Sequence, residues 1–440
     1  MRRLALIVCL ALVRPAGAQV GLPPVRLPQL PPVAVPSLPA ALPANASGDV
    51  SVGELDPRRL RELRARRVRE LLRRHQDVLE ADPQGAPIVR GEVLALTPSP
   101  AAMQAAIAAG LSFKRELALS ALDLRITVLH VPGATTRALQ RLQEQDPSGV
   151  YDFNHIYLEA GAVGGTSSAS GRAPSAEAAD AGSNSGIKVG LIDSGVDEGH
   201  EVFRGLTLER HGCAKHAVPA AHGTAIASLL VGRAGAFHGA APGAALYAAD
   251  VFCGQPTGGS VEAVAEALAW LVEQRIPVIN VSLVGPPDQL LERVVREALA
   301  RGSLVVAAVG NDGPAAPPLY PAAWPGVIGV TGVDAHGRVL AEAERGTQVK
   351  FAAPGADMVA ANVRGGYLHV RGTSFAAPIV AGLLALVLPS PDSQRATEAV
   401  AVLARSAQHP TSAAVDSAYG YGLVGGELRL QAGLGSARSD

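Results

Sequence analysis

From residue 187 onward, short apolar runs alternate with longer stretches whose apolar positions recur every three or four residues. Residues 187–192, 245–251, 278–282, 304–308 and 327–330 are apolar on both faces, as parallel strands covered by helices on each side must be. Residues 261–273 and 287–300 carry the helical period between them. The pattern predicts an α/β fold over 187–430, a doubly wound, mostly parallel sheet. Upstream the period changes. Residues 84–160 read strand (88–96), helix (101–109), two strands (113–119 and 124–131), helix (136–145) and strand (150–157). That βαββαβ order predicts a small ferredoxin-like α+β module.

The flanking segments read differently. In 56–82, Asp56 and Pro57 supply an N-cap and first-turn proline for an arginine-dense helix. Leu60, Leu63, Val68, Leu71 and Leu72 form its apolar face, expected to pack on its own pro-region. The alternative for so basic a helix is contact with an acidic surface or lipid headgroups. Residues 161–186 turn to Gly, Ser and Ala without periodicity, a flexible and cleavable linker. Prolines recur within 19–55, which favours an extended spacer over a packed core. No internal repeat is visible.

Met1-Arg2-Arg3, an apolar run from Leu4 to Val13 and the small triplet Ala16-Gly17-Ala18 have the layout of a secretory signal peptide at 1–18. The run is too short to cross a bilayer, and no later segment is long and apolar enough. A secreted or periplasmic protein without a membrane span is expected. With 38 Lys and Arg against 39 Asp and Glu, the net charge of -1 gives no field for holding nucleic acid. Loss of Cys9 with the signal peptide leaves Cys213 and Cys253 in an oxidising compartment, where a disulfide is expected. The alternative is a tetrahedral metal set of His211, Cys213, His216 and Cys253, although that spacing follows no zinc pattern.

In a doubly wound sheet, ligands sit beyond the carboxyl ends of the strands. Asp193 follows the first core strand there, His222 opens a helix in Ala221-His222-Gly223-Thr224, and Ser374 opens another in Gly372-Thr373-Ser374-Phe375-Ala376-Ala377-Pro378. Singly, each is an ordinary cap or surface residue. Together they supply a nucleophile that needs a base, a base that titrates near neutrality, and a carboxylate to orient it. Asn311, past another strand in Gly310-Asn311-Asp312-Gly313, adds an amide donor for a developing oxyanion. An α/β-hydrolase elbow needs glycine where Ala376 stands, and a chymotrypsin-like order would put histidine first.

These motifs, in the order Asp, His, Asn, Ser, resemble the subtilisin-like serine peptidase family over about 187–424, including the closing Tyr419-Gly420-Tyr421-Gly422-Leu423-Val424. The resemblance implies a serine endopeptidase in which Asp193 orients, His222 is base then acid, Ser374 attacks and Asn311 stabilises the oxyanion. It implies that the ferredoxin-like module is a pro-domain, a folding aid and intramolecular inhibitor, whose tail (150–161) lies in the cleft and is first cut within 158–165. It implies an extended polypeptide substrate strand-paired beside walls at 281–285 and 307–310, so that Ser282, Leu283, Val284, Ala307, Ala308 and Gly310 bind substrate. Both walls are apolar, which predicts an uncharged, medium-sized P1 side chain. Val284 stands where the family usually has glycine. No cofactor is expected at the usual calcium loop: many relatives bind calcium just after the histidine's helix, but residues 231–239 contain no Asn or Asp there, and calcium at other sites stays open. A monomer is expected. A silent binding protein on the same fold would show a broken constellation, and here all four residues are present.

Overall fold

The strand and helix periods read from the sequence take shape in a computed structural model that describes residues 57–160, 162–163, 184, 186–410 and 415–428. The signal peptide at 1–18, the spacer at 19–55 and most of the linker at 161–186 lie outside the described residues. The N-terminal part runs α1 (Pro57–Arg74), β1 (Leu79–Ala81), β2 (Pro87–Leu96), α2 (Pro100–Ala108), β3 (Ser112–Leu119), β4 (Leu124–His130), α3 (Thr135–Gln145) and β5 (Val150–Glu159). Ser99 caps α2 by accepting from the Ala102 N–H, and Pro100 occupies the first turn, where its missing donor costs nothing. The strands pair in the order β5-β2-β4-β3, every neighbour antiparallel, which is the ferredoxin-like topology.

The C-terminal part continues with β6 (Ala162–Val163), β7 (Lys188–Asp193), β8 (Leu208–His211), α4 (Ala221–Val231) and the hairpin β9 (Arg233–Ala234) and β10 (Phe237–His238). Next come β11 (Ala245–Asp250), β12 (Gly259–Ser260), α5 (Val261–Glu273), β13 (Val278–Val281), β14 (Leu283–Val284), α6 (Gln289–Ala300) and β15 (Leu304–Ala308). It ends with β16 (Ile328–Val333), β17 (Val349–Pro354), β18 (Met358–Ala361), β19 (Tyr367–Arg371), α7 (Thr373–Val387) and α8 (Ser393–Ser406). The central sheet has the order β17-β16-β15-β13-β7-β11-β8, with parallel pairing throughout. Strand order reverses at β7, so the crevice of the fold opens beyond the end of that strand, at Asp193.

The two parts share a core. One face of the N-terminal sheet, with Ile88, Val93 and Leu129, packs with Leu139 and Leu142 of α3. The other, with Leu94, Ile126 and Val128, is continuous with Leu268 of α5 and Leu290 and Val294 of α6. Strand β5 also satisfies the open N-terminal ends of both helices. Asp152 accepts from the Gln289 N–H at 2.8 Å, and Asn154 accepts from the Glu262 N–H at 3.3 Å.

Cys213 and Cys253 are disulfide-bonded across 5.1 Å between Cα atoms. The metal alternative thereby loses both thiolates, and His211 stacks on Trp270 instead, with centroids 4.9 Å apart. Helix α1 departs from its expected packing. Val68, Leu71 and Leu72 meet Leu79, Ile156 and Leu158 of the N-terminal part, but Leu63 is 50% exposed. The first half of the helix overruns that sheet and reaches the C-terminal part, where Arg64 Nε lies 3.1 Å from Asp312 Oδ2.

Candidate active site

Asp193 ends β7, fully buried, and its Oδ1 accepts from His222 Nδ1 at 2.8 Å, the Ser194 N–H at 2.7 Å and the Ser194 hydroxyl at 3.1 Å. His222 enters from the first turn of α4. That turn can sit so close only because Gly223 has no side chain: a Cβ there would lie 2.0 Å from the Ser194 carbonyl oxygen. The Gly223 N–H donates to Ser194 Oγ, closing the link between strand and helix. Burial works against a charge on His222, but the Asp193 carboxylate and Glu159 outweigh it and raise its pKa above the ordinary histidine value. Its outward Nε2 is buried without a partner among the described residues.

Ser374 is the second residue of α7, which opens after Gly372 at φ 137°, a backbone state that favours glycine. Its carbonyl lacks the usual helical donor because residue 378, four places on, is proline. The Ser282 hydroxyl fills that place, donating to the Ser374 carbonyl at 3.1 Å, and Asn280 Nδ2 donates to Ser282 Oγ at 2.9 Å. The nucleophile's backbone is thus tied to β13. Ser374 Oγ itself makes only a long 3.5 Å contact to the Ser282 carbonyl. Asn311 accepts the Thr373 N–H on Oδ1 at 3.1 Å, which fixes its amide plane. Its Nδ2 is shut off from solvent and has no partner among the described residues.

The cleft in front of these groups holds the chain's own β5. Tyr157 and Ile156 pair with β12 on one side, and Glu159 and Leu158 pair antiparallel with Leu283 and Val284 of β14 on the other. The Ala160 N–H donates to the Ser282 carbonyl at 3.2 Å. Beyond it, β6 pairs with Val370 and Arg371 of β19, just ahead of Ser374. The segments on either side of residue 161 are thus paired to β14 and to β19. Glu159 lies with Oε1 3.3 Å from Ser194 Oγ, and burial, with Asp193 nearby, raises its pKa.

A sequence model of the subtilase family, Peptidase_S8, matches residues 184–422. The chain belongs to the subtilase family. It is 33% identical to subtilisin Savinase of Lederbergia lenta over 247 residues, 55% of this chain and 90% of that relative. It is 32% identical to subtilisin E of Bacillus subtilis (strain 168) over 214 residues, and 27% identical to the minor extracellular protease Epr of the same organism over 243. These alignments cover 46% and 54% of this chain, but only 56% of subtilisin E and 37% of Epr. Among solved structures, fervidolysin of Fervidobacterium pennivorans, a keratinolytic enzyme related to subtilisin, superposes with a TM-score of 0.64 at 20% identity. That match covers 78% of this chain and 61% of fervidolysin, and it bears on the fold.

In this subtilase Asp193 and His222 are hydrogen-bonded, the His222 ring lies 5.6 Å from that of Phe375, next to Ser374, and Asn311 is hydrogen-bonded to Thr373 on the other side of Ser374. Ser282, Leu283 and Val284 flank β5, and Val284 keeps its register with Leu158, so the bulkier residue does not displace the strand. The other expected wall, 307–310, lies at and just past the carboxyl end of β15. Ala307 and Ala308 are fully buried in β15, paired to β13 and β16, and neither they nor Gly310 pair with β5. The second pairing edge is Gly259–Ser260. Its sequence signal was the glycine pair before Ser260, the residue that caps α5. Asn280, Ser194 and Glu159 also escaped notice, the first because it lies inside an apolar run that reads only as a strand. Within the segment expected as a linker, Ala162–Val163 form the short strand β6.

Proposed function

We propose that this chain is an exported serine endopeptidase made as a self-cleaving zymogen, with residues 84–160 as its inhibitory pro-domain. The observation that carries the reading is the Asn311 amide. It is a buried donor with no partner, fixed by Thr373 beside the start of α7, and such a group is costly unless an acceptor arrives. A substrate carbonyl that becomes an oxyanion there would take that bond and the free N–H of Ser374 in the first helical turn.

For attack, the Ser374 hydroxyl turns from the Ser282 carbonyl to His222 Nε2, which takes its proton as Oγ bonds to the carbonyl carbon. The imidazolium is stabilised by Asp193 and then protonates the departing amine. Water repeats the cycle on the acyl-enzyme. These side chains carry the whole reaction, so no metal or other cofactor enters it.

The register of β5 supports Ala160–Gly161 as the first bond cut, because Ala160 is the last residue held by the Ser282 carbonyl. The same register favours substrates with a small apolar P1 residue and an aromatic residue at P4. Tyr157 is fully buried, donates to the Pro286 carbonyl at 2.8 Å and lies against Gly285. The test is the intact mass of secreted wild type beside Ser374→Ala, purified without inhibitors. The wild type should yield a first product beginning at Gly161 while the variant keeps its N-terminal part. Two full-length products would refute self-cleavage.

A further inference from the structure

We propose that α1 is a second inhibitory element, a basic helix clamped over the mouth of the cleft by Arg64 on Asp312, which keeps the two cleaved pieces together. The inference rests on the zymogen reading above. Strand β5 alone fills the pairing edges of the cleft, yet the helix extends past it. A cavity of about 330 Å³ lies between Leu60, Arg64 and Arg67 of α1 and Ala160, Asn311 and Gly372 of the site, so the helix roofs the place where the bond is cut.

The contact is chemically matched. Helix α1 carries nine arginines and two glutamates. Beneath it Asp312 is held at 3.1 Å by Arg64, with side chains 25% and 16% exposed. Glu344, fully buried with Oε1 unpartnered, stands close enough for Asp312 to help raise its pKa, behind burial, to about 8. Arg64 is thus the counter-charge for Asp312, since a Glu344 raised to about 8 stays protonated near neutrality and leaves Asp312 as the ionised member of the pair. Arg67 lies within electrostatic reach of the centre: its charge opposes protonation of His222 and favours ionised Glu159.

The helix is also anchored on the correct side of the cut. Val68, Leu71 and Leu72 pack on Leu79, Ile156 and Leu158, all N-terminal to residue 160. Arg64 grips the C-terminal part. Cutting at 160–161 frees the covalent link and leaves this bridge, so cleavage and activity become separate events, with loss of the Arg64–Asp312 contact between them.

The test follows the full chain of wild type, Arg64→Glu and Arg64→Lys. Intact mass times the cut, and a chromogenic peptide ending in Ala times the appearance of activity. Arg64→Glu should shorten the lag between the two about tenfold, the scale on which a paired interfacial charge alters release. Arg64→Lys should keep most of the lag, and salt should shorten it in wild type. Normal cutting with an unchanged lag in Arg64→Glu overturns the proposal. If Arg64→Glu does not fold, hydrogen exchange on uncut Ser374→Ala decides: amides of 60–67 should be protected at low salt and lose protection in high salt, and unprotected amides overturn it. If wild type itself stays uncut, the zymogen reading fails, and the exchange measurement still judges the clamp.

Discussion

Raising the pH from 6.5 toward 10 should release the cleaved N-terminal piece from the protease. His155 of β5 is 3% exposed and bonded on both ring nitrogens, to Asp288 at 2.8 Å across the interface and to Asp82 at 3.3 Å within its own module. Burial opposes its charge, but these carboxylates and Asp152 win, and its pKa stands at about 10 against an ordinary 6.5. Asp152 is pushed up to about 7 by burial and by Asp288. Both groups have raised pKa values in the complex, so the complex binds protons that the separated pieces release. The stabilisation from His155 is complete below about pH 6.5 and is lost as pH rises toward about 10; that from Asp152 is lost through about pH 7. The full His155 shift would correspond to roughly 5 kcal/mol, but Asp82 and Asp152 travel with the strand and only Asp288 is left behind. Taking less than half as interfacial gives about 2 kcal/mol, or ~30-fold in the dissociation constant. Gel filtration of the cleaved complex at pH 6.5, 8 and 9.5, with mass analysis of the protease peak, measures it directly. His155→Gln should weaken the complex at low pH and flatten its pH dependence. Retention that is constant or tighter at pH 9.5 in wild type would refute the reasoning.

Other consequences are open to simpler assays. Asn311→Ala should lower kcat by roughly 10² to 10³ with little change in KM, since its amide meets only the oxyanion; an equal rise in KM would contradict that role. Pro378→Ala restores a helical donor that competes with Ser282 for the Ser374 carbonyl, and should lower kcat in peptide assays without lowering the melting temperature. Glu159→Gln removes a negative charge beside His222, so the His222 pKa should fall and self-cleavage should extend to lower pH, read from intact mass over a pH series. Joint replacement of Cys213 and Cys253 by serine opens a cross-link between residues 40 apart and should cost up to about 4 kcal/mol, seen as a lower melting temperature in the Ser374→Ala background. An unchanged melting temperature would show that the bridge does not restrain the unfolded chain.

Much of the fold was legible because it is local. Residues 261–273 carry a helical period that becomes α5 over the same span, and the run at 304–308 becomes β15 without adjustment. The βαββαβ order survives intact because most turns of direction are marked by Gly, Pro or a capping residue such as Ser99, the β3–β4 turn instead closing through Asp123 at φ 55°. Asp193, His222, Asn311 and Ser374 were legible for a related reason. Each lies at or just past a strand end or in a helix first turn, positions where polar side chains interrupt apolar runs.

What stayed hidden depends on which elements meet. A two-residue edge such as Gly259–Ser260 has no period to read, and it becomes a strand only because β5 lies beside it. Asn280 sits in an apolar run, and its purpose appears only when Ser282, two residues on, is seen to serve the carbonyl that Pro378 leaves without a helical donor. The leucine stripe of α1 predicts a buried face along the whole helix, whereas burial stops where the N-terminal sheet ends and arginine takes over against Asp312. The same division orders the site. The proposed catalytic residues are announced by their neighbours in sequence, while Ser282, which holds the Ser374 carbonyl, comes from 92 positions away and Arg64 reaches Asp312 from another element altogether.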